Sequence, residues 1–180
     1  NFYTEEGRRI ISNNYGYDSL YKGGLSIRTP LNSNYQIEAL KALQEGLQEY
    51  DKRRGWRGSL TNISKDDWTK HVEKFVLDKS LNWKLAKVIE VKKLSLKVEI
   101  ENKEIGFIDF KNAGWTRKKS FEDFMSINDV IYVKKIKKNK WNLKQLPKIN
   151  GSIVVMDPYT GRILAMVGGF SFKLSEFNRA

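Results

Sequence analysis

The sequence lacks cysteine altogether, and His71 is its only histidine. Without cysteine the chain has no disulfide, no thiolate metal site and no cysteine nucleophile, and a single histidine excludes a metal site that needs several. The absence of cysteine does not decide the compartment. Long apolar runs are also missing: none approaches the roughly 18 residues that a membrane-spanning helix needs. The chain does not open with a signal-peptide pattern either.

Positive charge, by contrast, is abundant. The 33 Lys and Arg residues outnumber the 21 Asp and Glu residues, which gives a net charge of +12. Residues 83–149 contribute +9 of this, from 16 Lys and Arg117 against eight acidic residues. Two explanations stay open: a coding bias toward Lys, Asn and Ile, or attraction to a polyanion or an acidic surface. Hydrophobic residues make up 40% of the chain, which is enough to form a core and excludes a disordered tail.

The first half of the chain has mainly helical patterns. The sequence predicts a short helix over 2–14 that ends at Tyr15-Gly16, and a short strand over 25–28. The longest helix is predicted over 33–52, with Ser33 and Gln36 as a capping box. Apolar residues recur along it at spacings of three and four and predict one buried stripe: Ile37, Leu40, Leu43, Leu47 and Tyr50.

A further helix is predicted to start at Ser64, with Asp67 as its cap. Its predicted buried face comprises Trp68, Val72, Phe75 and Val76. From Trp83 the apolar period changes to two, and five short strands within 83–146 predict a small barrel. Residues 152–156 and 163–167 predict a hairpin with a tight, proline-containing turn. We therefore expect an α+β fold that combines helices, a small five-stranded barrel and a β-hairpin.

Several stretches carry a family resemblance. Residues 15–29 read YGYDSLYKGGLSIRT, and residues 50–58 read YDKRRGWRG. Residues 151–170 read GSIVVMDPYTGRILAMVGGF, and residues 177–180 read FNRA. In this order they resemble the class A penicillin-binding proteins of the 1A type, which are bifunctional peptidoglycan glycosyltransferases and transpeptidases. The motifs WKLAKV at 83–88 and WNLKQLP at 141–147 resemble the two ends of that family's OB-like insertion.

The resemblance implies three parts. Residues 1–82 would be a linker region with helices after the glycosyltransferase domain, residues 83–149 an OB-like barrel insertion, and residues 150–180 the truncated N-terminal hairpin of the transpeptidase domain. We expect residues 25–29 to pair with or pack near that hairpin, because an inserted barrel needs its two ends close together. The segment would belong to the periplasmic portion of a protein anchored in the bacterial inner membrane. Its partners would be the remainder of the same chain, and a cell-envelope regulatory protein or an anionic membrane surface.

The family's acyl-transfer chemistry needs a serine with a lysine one helical turn later, and Ser19 and Lys22 match this formally. The match precedes Gly23-Gly24 in the linker, and the resemblance places the catalytic motif after residue 180, so we interpret the match as coincidence. The triplets SLN at 80–82 and SIN at 126–128 fit the family's second motif, but such short matches arise by chance. The third motif, Lys-Thr-Gly, is absent from this sequence.

The remaining polar candidates have structural interpretations. The acidic pairs at 5–6, 66–67 and 122–123 are adjacent in sequence, so on a helix their side chains point in different directions and favour helix-start charge over catalysis. His71 lies just off a predicted apolar face and is interpreted as a structural histidine. We therefore predict no catalytic, cofactor-binding or metal-ligating residue in this sequence, and no cofactor.

Two other classes of function stay open. One is a basic OB-fold module that binds single-stranded nucleic acid by charge and by base stacking. Its candidate stacking residues are Phe107, Phe110, Trp115 and Tyr132. The flanking resemblance disfavours this nucleic-acid partner. The other is a stand-alone scaffold domain.

Overall fold

The fold is described from a computed structural model for residues 1–77 and 79–180. The described helices are α1 (Phe2–Tyr15), α2 (Tyr17–Lys22) and α3 (Ser33–Lys52). The described strands are β1 (Thr61–Asn62), β2 (Trp83–Lys92), β3 (Ser95–Ile100), β4 (Ile105–Asp109), β5 (Asp129–Lys137), β6 (Lys140–Lys144), β7 (Ile153–Met156) and β8 (Ile163–Val167). The chain divides into two units, a helix–hairpin unit formed by Asn1–Leu47 with Lys148–Ala180, and a barrel unit formed by Gln48–Pro147.

Helix α1 begins and ends where its sequence predicts. The side chain of Asn1 caps its start, and Gly16, with a φ of 83°, ends it. Phe2 is buried, with 4% of its surface exposed. The hydroxyl of Tyr3 donates a hydrogen bond to the carbonyl oxygen of Ile163 (2.9 Å), which ties α1 to the hairpin strand β8.

Helix α3 has the predicted bounds, but its cap differs from the prediction. Oδ1 of Asn32 accepts hydrogen bonds from the backbone N–H groups of Asn34 (3.0 Å) and Tyr35 (3.2 Å), so the capping residue is Asn32 and the Ser33–Gln36 capping box is wrong. Gln36 instead bonds the hairpin. Its Nε2 donates to the carbonyl of Met166 and its Oε1 accepts from the N–H of Met166, each at 2.9 Å.

The buried face of α3 is displaced from the predicted stripe. Leu43 and Leu47 are buried as expected, together with Ala39. The two ends of the stripe are wrong, because Ile37 is 61% exposed and Tyr50 is 48% exposed. Spacings of four, rather than alternating threes and fours, define the face that this helix buries.

Between α2 and α3 the chain has no regular structure, so the predicted strand over 25–28 is wrong. Leu25 and Ile27 are 45% and 47% exposed. The segment nevertheless lies beside the hairpin, as expected: residues 27–30 line a groove together with Ile163 and Met166. Just after it, the N–H of Asn32 donates to the carbonyl of Leu164 (2.8 Å).

The barrel contains all five predicted strands. Antiparallel pairing runs from β5 through β2 and β3 to β4, and the parallel pair β4–β6 with the antiparallel pair β5–β6 closes the ring. The short strand β1 pairs with the start of β5. Strict alternation on β3 buries Leu96, Val98 and Ile100. With the hairpin β7–β8 as a separate two-stranded sheet, the predicted α+β class is confirmed.

Two residues of the barrel core fit together closely. Trp141 on β6 is 4% exposed, and its ring lies against the backbone of Gly106 on β4. A Cβ at position 106 would lie 2.5 Å from Nε1 of Trp141, well inside van der Waals contact. Glycine is therefore the residue that this packing requires.

The described residues within 64–82 do not form the predicted helix. The chain makes three short 3-10 turns instead, Trp68–His71, Glu73–Phe75 and Lys79–Leu81. Trp68 and Val72 are buried as expected, whereas Val76 is 47% exposed. The indole Nε1 of Trp68 donates to Oε1 of Glu99 on β3 (2.9 Å), so this segment packs on the outside of the barrel.

Candidate functional site

Ser19 and Lys22, the formal nucleophile and base, lie on the six-residue helix α2. Nζ of Lys22 is 2.8 Å from Oδ1 of Asp18, and both side chains are mostly exposed. A base that takes the proton of a serine hydroxyl needs that hydroxyl as its partner and a site sheltered from water. In α2 the lysine instead forms an ion pair with a carboxylate at the surface.

The other candidate triplets form turns. The N–H of Ser126 donates to Oδ2 of Asp129 (2.9 Å), and Asn128 adopts a left-handed backbone with a φ of 72°. Asn82 also has a positive φ, of 52°. Asparagine tolerates this conformation better than most residues, so these residues serve the chain path into β5 and into β2.

His71 and the acidic pairs have local partners. Nε2 of His71 is 3.7 Å from Oδ1 of Asp67, four residues earlier, and its side chain is 42% exposed. Glu5 and Glu6 form ion pairs with Arg8 and Arg9, three residues later on α1. Among the described residues, no group of three or more His, Cys, Asp or Glu side chains is arranged to hold a metal ion.

The shifted carboxyl pKa values have structural causes. Hydrogen bonds from the backbone N–H groups of Ser120 and Lys119, with Ser120 the larger contribution, hold the pKa of Asp123 below its usual range. This carboxylate completes a capping box with Ser120. The hydrogen bond from Arg8 likewise lowers the pKa of Glu5. Such shifts mark catalytic groups only when they occur together in a cleft, and here they mark a cap and a surface pair.

A polar cluster joins the two places where the chain enters and leaves the barrel unit. Nη1 of Arg57 donates to Oδ2 of Asp51 (2.7 Å), and Nη2 donates to the carbonyl of Leu146 (2.5 Å). The backbone N–H of Arg57 donates to Oε1 of Gln145 (2.9 Å). Nε2 of Gln145 donates to Oδ2 of Asp51 (3.0 Å) and to the carbonyl of Gly55 (3.2 Å).

We call Asp51, Arg57 and Gln145 the clasp. Asp51 is buried, with 2% of its surface exposed, so its charge requires the guanidinium and amide donors around it. The clasp holds residues 51–57 against residues 145–146, although almost the whole barrel lies between them in sequence. Its chemistry is structural, because it brings the two ends of the barrel unit together.

Most of the net charge belongs to the barrel unit. Residues 48–147 carry 24 Lys and Arg against 14 Asp and Glu, so they hold +10 of the total +12. Several lysines of the barrel form ion pairs, including Lys84 with Glu101 (2.7 Å) and Lys135 with Glu104 (2.9 Å). None of the described helices is both long enough and apolar enough to cross a membrane.

The sequence did not reveal the clasp or the pairing of Gln36 with Met166. The clasp joins residues about 90 positions apart, and a single sequence contains no periodic signal for such a pair. A weak signal was available in the two motifs of the resemblance, since 50–58 contains Asp51 and Arg57, and 141–147 contains Gln145.

Comparisons with known proteins match the barrel and the whole chain to one family. The model of the penicillin-binding protein OB-like domain matches residues 56–149. Penicillin-binding protein 1A of Rickettsia prowazekii is 35% identical over 182 residues, and that of Vibrio cholerae is 26% identical over 200 residues. Each match covers 99% of this chain, and the chain spans only 23% and 24% of those relatives.

The crystal structure of penicillin-binding protein 1A from Haemophilus influenzae has the same fold over 99% of this chain, with a TM-score of 0.81, 27% identity and 27% of that chain covered. These matches confirm the resemblance to class A penicillin-binding proteins. With more than half of its residues matched by the OB-like domain model, this chain belongs to the penicillin-binding proteins that carry this domain.

Proposed function

We propose that the chain is a non-catalytic interdomain segment of a bifunctional peptidoglycan synthase, which polymerises glycan strands and cross-links their peptides in bacterial cell-wall synthesis. In this proposal residues 1–82 follow a glycosyltransferase domain, residues 83–149 are the OB-like insertion, and residues 150–180 open a transpeptidase domain. The barrel serves as a spacer or as a docking module for a cell-envelope protein. The whole protein is anchored in the inner membrane, with this segment in the periplasm.

The observation that carries the proposal is the discontinuity of the helix–hairpin unit. Its residues come from 1–47 and 148–180, and the barrel unit is inserted between them. The clasp is what an inserted module needs, because it joins the incoming chain at Arg57 to the outgoing chain at Gln145. The relatives support the assignment to a larger cell-wall protein, since they are penicillin-binding proteins about four times as long as the aligned segment.

The nucleic-acid alternative has weaker support from the barrel. Of its four candidate stacking residues, Tyr132 is buried and Phe110 and Trp115 pack against the core. Phe107 is the one that is exposed, at 38%. Single-stranded nucleic acid is usually held by several exposed aromatic side chains along a basic groove.

A first experiment incubates the 180-residue chain with a fluorescent penicillin, beside an intact class A penicillin-binding protein as the positive control. The expected result is covalent labelling of the control alone. Labelling of this chain, and its loss in a Ser19→Ala variant, would show that the nucleophile lies within the segment.

A second experiment tests whether the barrel is an inserted module. Residues 58–144 are replaced by a short Gly–Ser linker. This linker can join Arg57 to Gln145 because the backbone N of Arg57 is already 2.9 Å from the side-chain Oε1 of Gln145. The expected product keeps the circular dichroism of α1 and α3 and resists limited proteolysis outside the linker. An unfolded product would contradict the proposal that the barrel is inserted into an independent framework.

A further inference from the structure

The outer face of β4 is unusual for a barrel of this charge. Along this strand Gly106 and Ile108 point inward and are buried, whereas Ile105 and Phe107 point outward and are each 38% exposed. Outward positions of a half-exposed strand are normally polar. Two large apolar side chains therefore lie next to each other on the outside of β4.

Basic residues flank Phe107 on both neighbouring strands, whereas Ile105 lies opposite Glu99 on β3. Lys97 on β3 lies opposite Phe107, and Lys140 on β6 lies opposite it on the other side. The β5–β6 turn also adjoins the strand, because the N–H of Phe107 donates to the carbonyl of Asn139 (2.8 Å). Next to that turn, the exposed residues are Ile136, Lys137 and Lys138.

Acidic side chains are interspersed among these lysines. Nζ of Lys140 donates to both carboxylate oxygens of Asp109, at 2.9 and 2.8 Å. Nζ of Lys135 lies 2.9 Å from Oε1 of Glu104. The face is thus positive on balance but alternates in sign around its apolar centre.

We propose that this face, which we call the β4 face (Ile105, Phe107, Lys97 and the β5–β6 turn), is a docking surface for a partner protein with an acidic surface and a projecting apolar side chain. The inference rests on the proposed docking function and names the surface and the chemistry of its partner. An exposed aromatic side chain with a charged rim is the usual composition of an energetically important contact. The +10 charge of the barrel unit attracts an acidic partner and accelerates its association.

The alternating charge favours a protein over a phosphate surface. A lipid headgroup layer or a nucleic acid presents negative charge throughout, so Glu104 and Asp109 would face like charges there. A protein surface can match both signs. The β4 face also has a single exposed aromatic residue, which is fewer than base stacking usually needs. With only 38% of its surface exposed, Phe107 projects too little to insert into a lipid layer.

The test uses the 180-residue chain and two short synthetic peptides that are acidic overall but include a few Lys residues, one with leucine at intervals and one with serine in its place. The test variants are Phe107→Ser and Lys97→Glu. The control is Leu94→Ser, which removes an apolar side chain that is 64% exposed in the β2–β3 turn. Circular dichroism checks the fold of each variant, and fluorescence titration measures binding at low and at high salt.

The expected result is salt-sensitive binding of the leucine peptide, weaker binding of the serine peptide, and a loss of about tenfold in affinity for each test variant with no change for the control. Equal affinities for all variants, or no binding of the leucine peptide, would overturn the proposal. Phosphatidylglycerol vesicles and a single-stranded oligonucleotide are titrated in parallel. If the vesicles or the oligonucleotide bind more tightly than the leucine peptide, and this binding depends on Phe107, the proposal of a protein partner is overturned in favour of lipid or nucleic acid. Neither outcome changes the penicillin-labelling test, so the failure of this inference is distinguishable from failure of the proposed function.

Discussion

Replacing Gly106 by alanine should destabilise the barrel severely. The new methyl group would lie 2.5 Å from Nε1 of Trp141 and nearer still to Cδ1 of the same ring. The ring cannot move away easily, because Trp141 is 4% exposed and sits in the core cluster with Ile108 and Leu143. Gly106 cannot move either, since β4 is paired on both sides, with β3 and with β6.

Forcing an extra methyl group into a packed core costs about 1–3 kcal/mol, and this contact belongs near the upper limit, at about 3 kcal/mol. For a unit of roughly this size, 1 kcal/mol lowers the melting temperature by about 4–8 °C. Gly106→Ala should therefore melt at least about 12 °C below the wild type. Trp141→Leu should also destabilise, because it leaves a cavity that costs about 2–4 kcal/mol.

The assay is thermal and urea unfolding of the 180-residue chain, with circular dichroism as the signal that monitors unfolding. The matched control is Gly114→Ala, because a Cβ at that position meets nothing within 4 Å. The double variant Gly106→Ala/Trp141→Leu should lose less stability than the sum of the single changes, by about 1–3 kcal/mol. Additive losses, or a Gly106→Ala protein as stable as the Gly114→Ala control, would refute the steric reasoning.

Three further predictions concern single contacts. Gln36→Ala removes both hydrogen bonds to Met166, so it should lower the free energy of unfolding by about 2 kcal/mol, at about 1 kcal/mol for each bond, and speed hydrogen exchange of the Met166 amide. Gln36→Glu keeps only the acceptor, so its stability and exchange rate should lie between those of Gln36→Ala and the wild type. Unchanged exchange in both variants would contradict the pairing. Arg57→Met removes the guanidinium beside buried Asp51 and should lower the free energy of unfolding in urea by about 3 kcal/mol, whereas a loss no larger than that of Arg54→Met, in an exposed neighbour, would show the clasp to be dispensable. Burial raises the pKa of Tyr132 to about 12, so the stability that its neutral form contributes should be present below about pH 10 and fall as pH rises toward 12; absorbance titration of the phenol checks this, and a Tyr132→Phe protein with the same alkaline loss would argue against it.

The regular elements were predictable where one period dominates. Strict alternation predicted β3, and the proline-containing turn at 157–161 between two apolar runs predicted the β7–β8 hairpin. Gly16, which cannot prolong a helix cheaply, gave the end of α1. In each case the physical determinant is local in sequence.

Errors arose where tertiary contacts outweigh a local pattern. Residues 25–28 look like a strand, but Gln36 and Asn32 occupy the β8 edge that such a strand could have joined. The helix predicted from Ser64 is replaced by short turns that place Trp68 over Glu99. For the β4 face, the sequence predicted only its excess of positive charge. It could not predict that Phe107 is exposed, because this depends on which side of β4 faces outward in the closed barrel.

The contact between Gln36 and Met166 has a consequence for how the hairpin sheet can be extended. The side-chain amide of Gln36 already bonds both the N–H and the carbonyl of Met166, so the β8 edge of the two-stranded sheet cannot pair with a further strand there. Val154 lies opposite Met166, so its own N–H and carbonyl point away from the pair, toward the other border. Any additional strand must align beside Val154 and Met156, whose side chains are 45% and 58% exposed. One glutamine thus sets the direction in which this sheet grows.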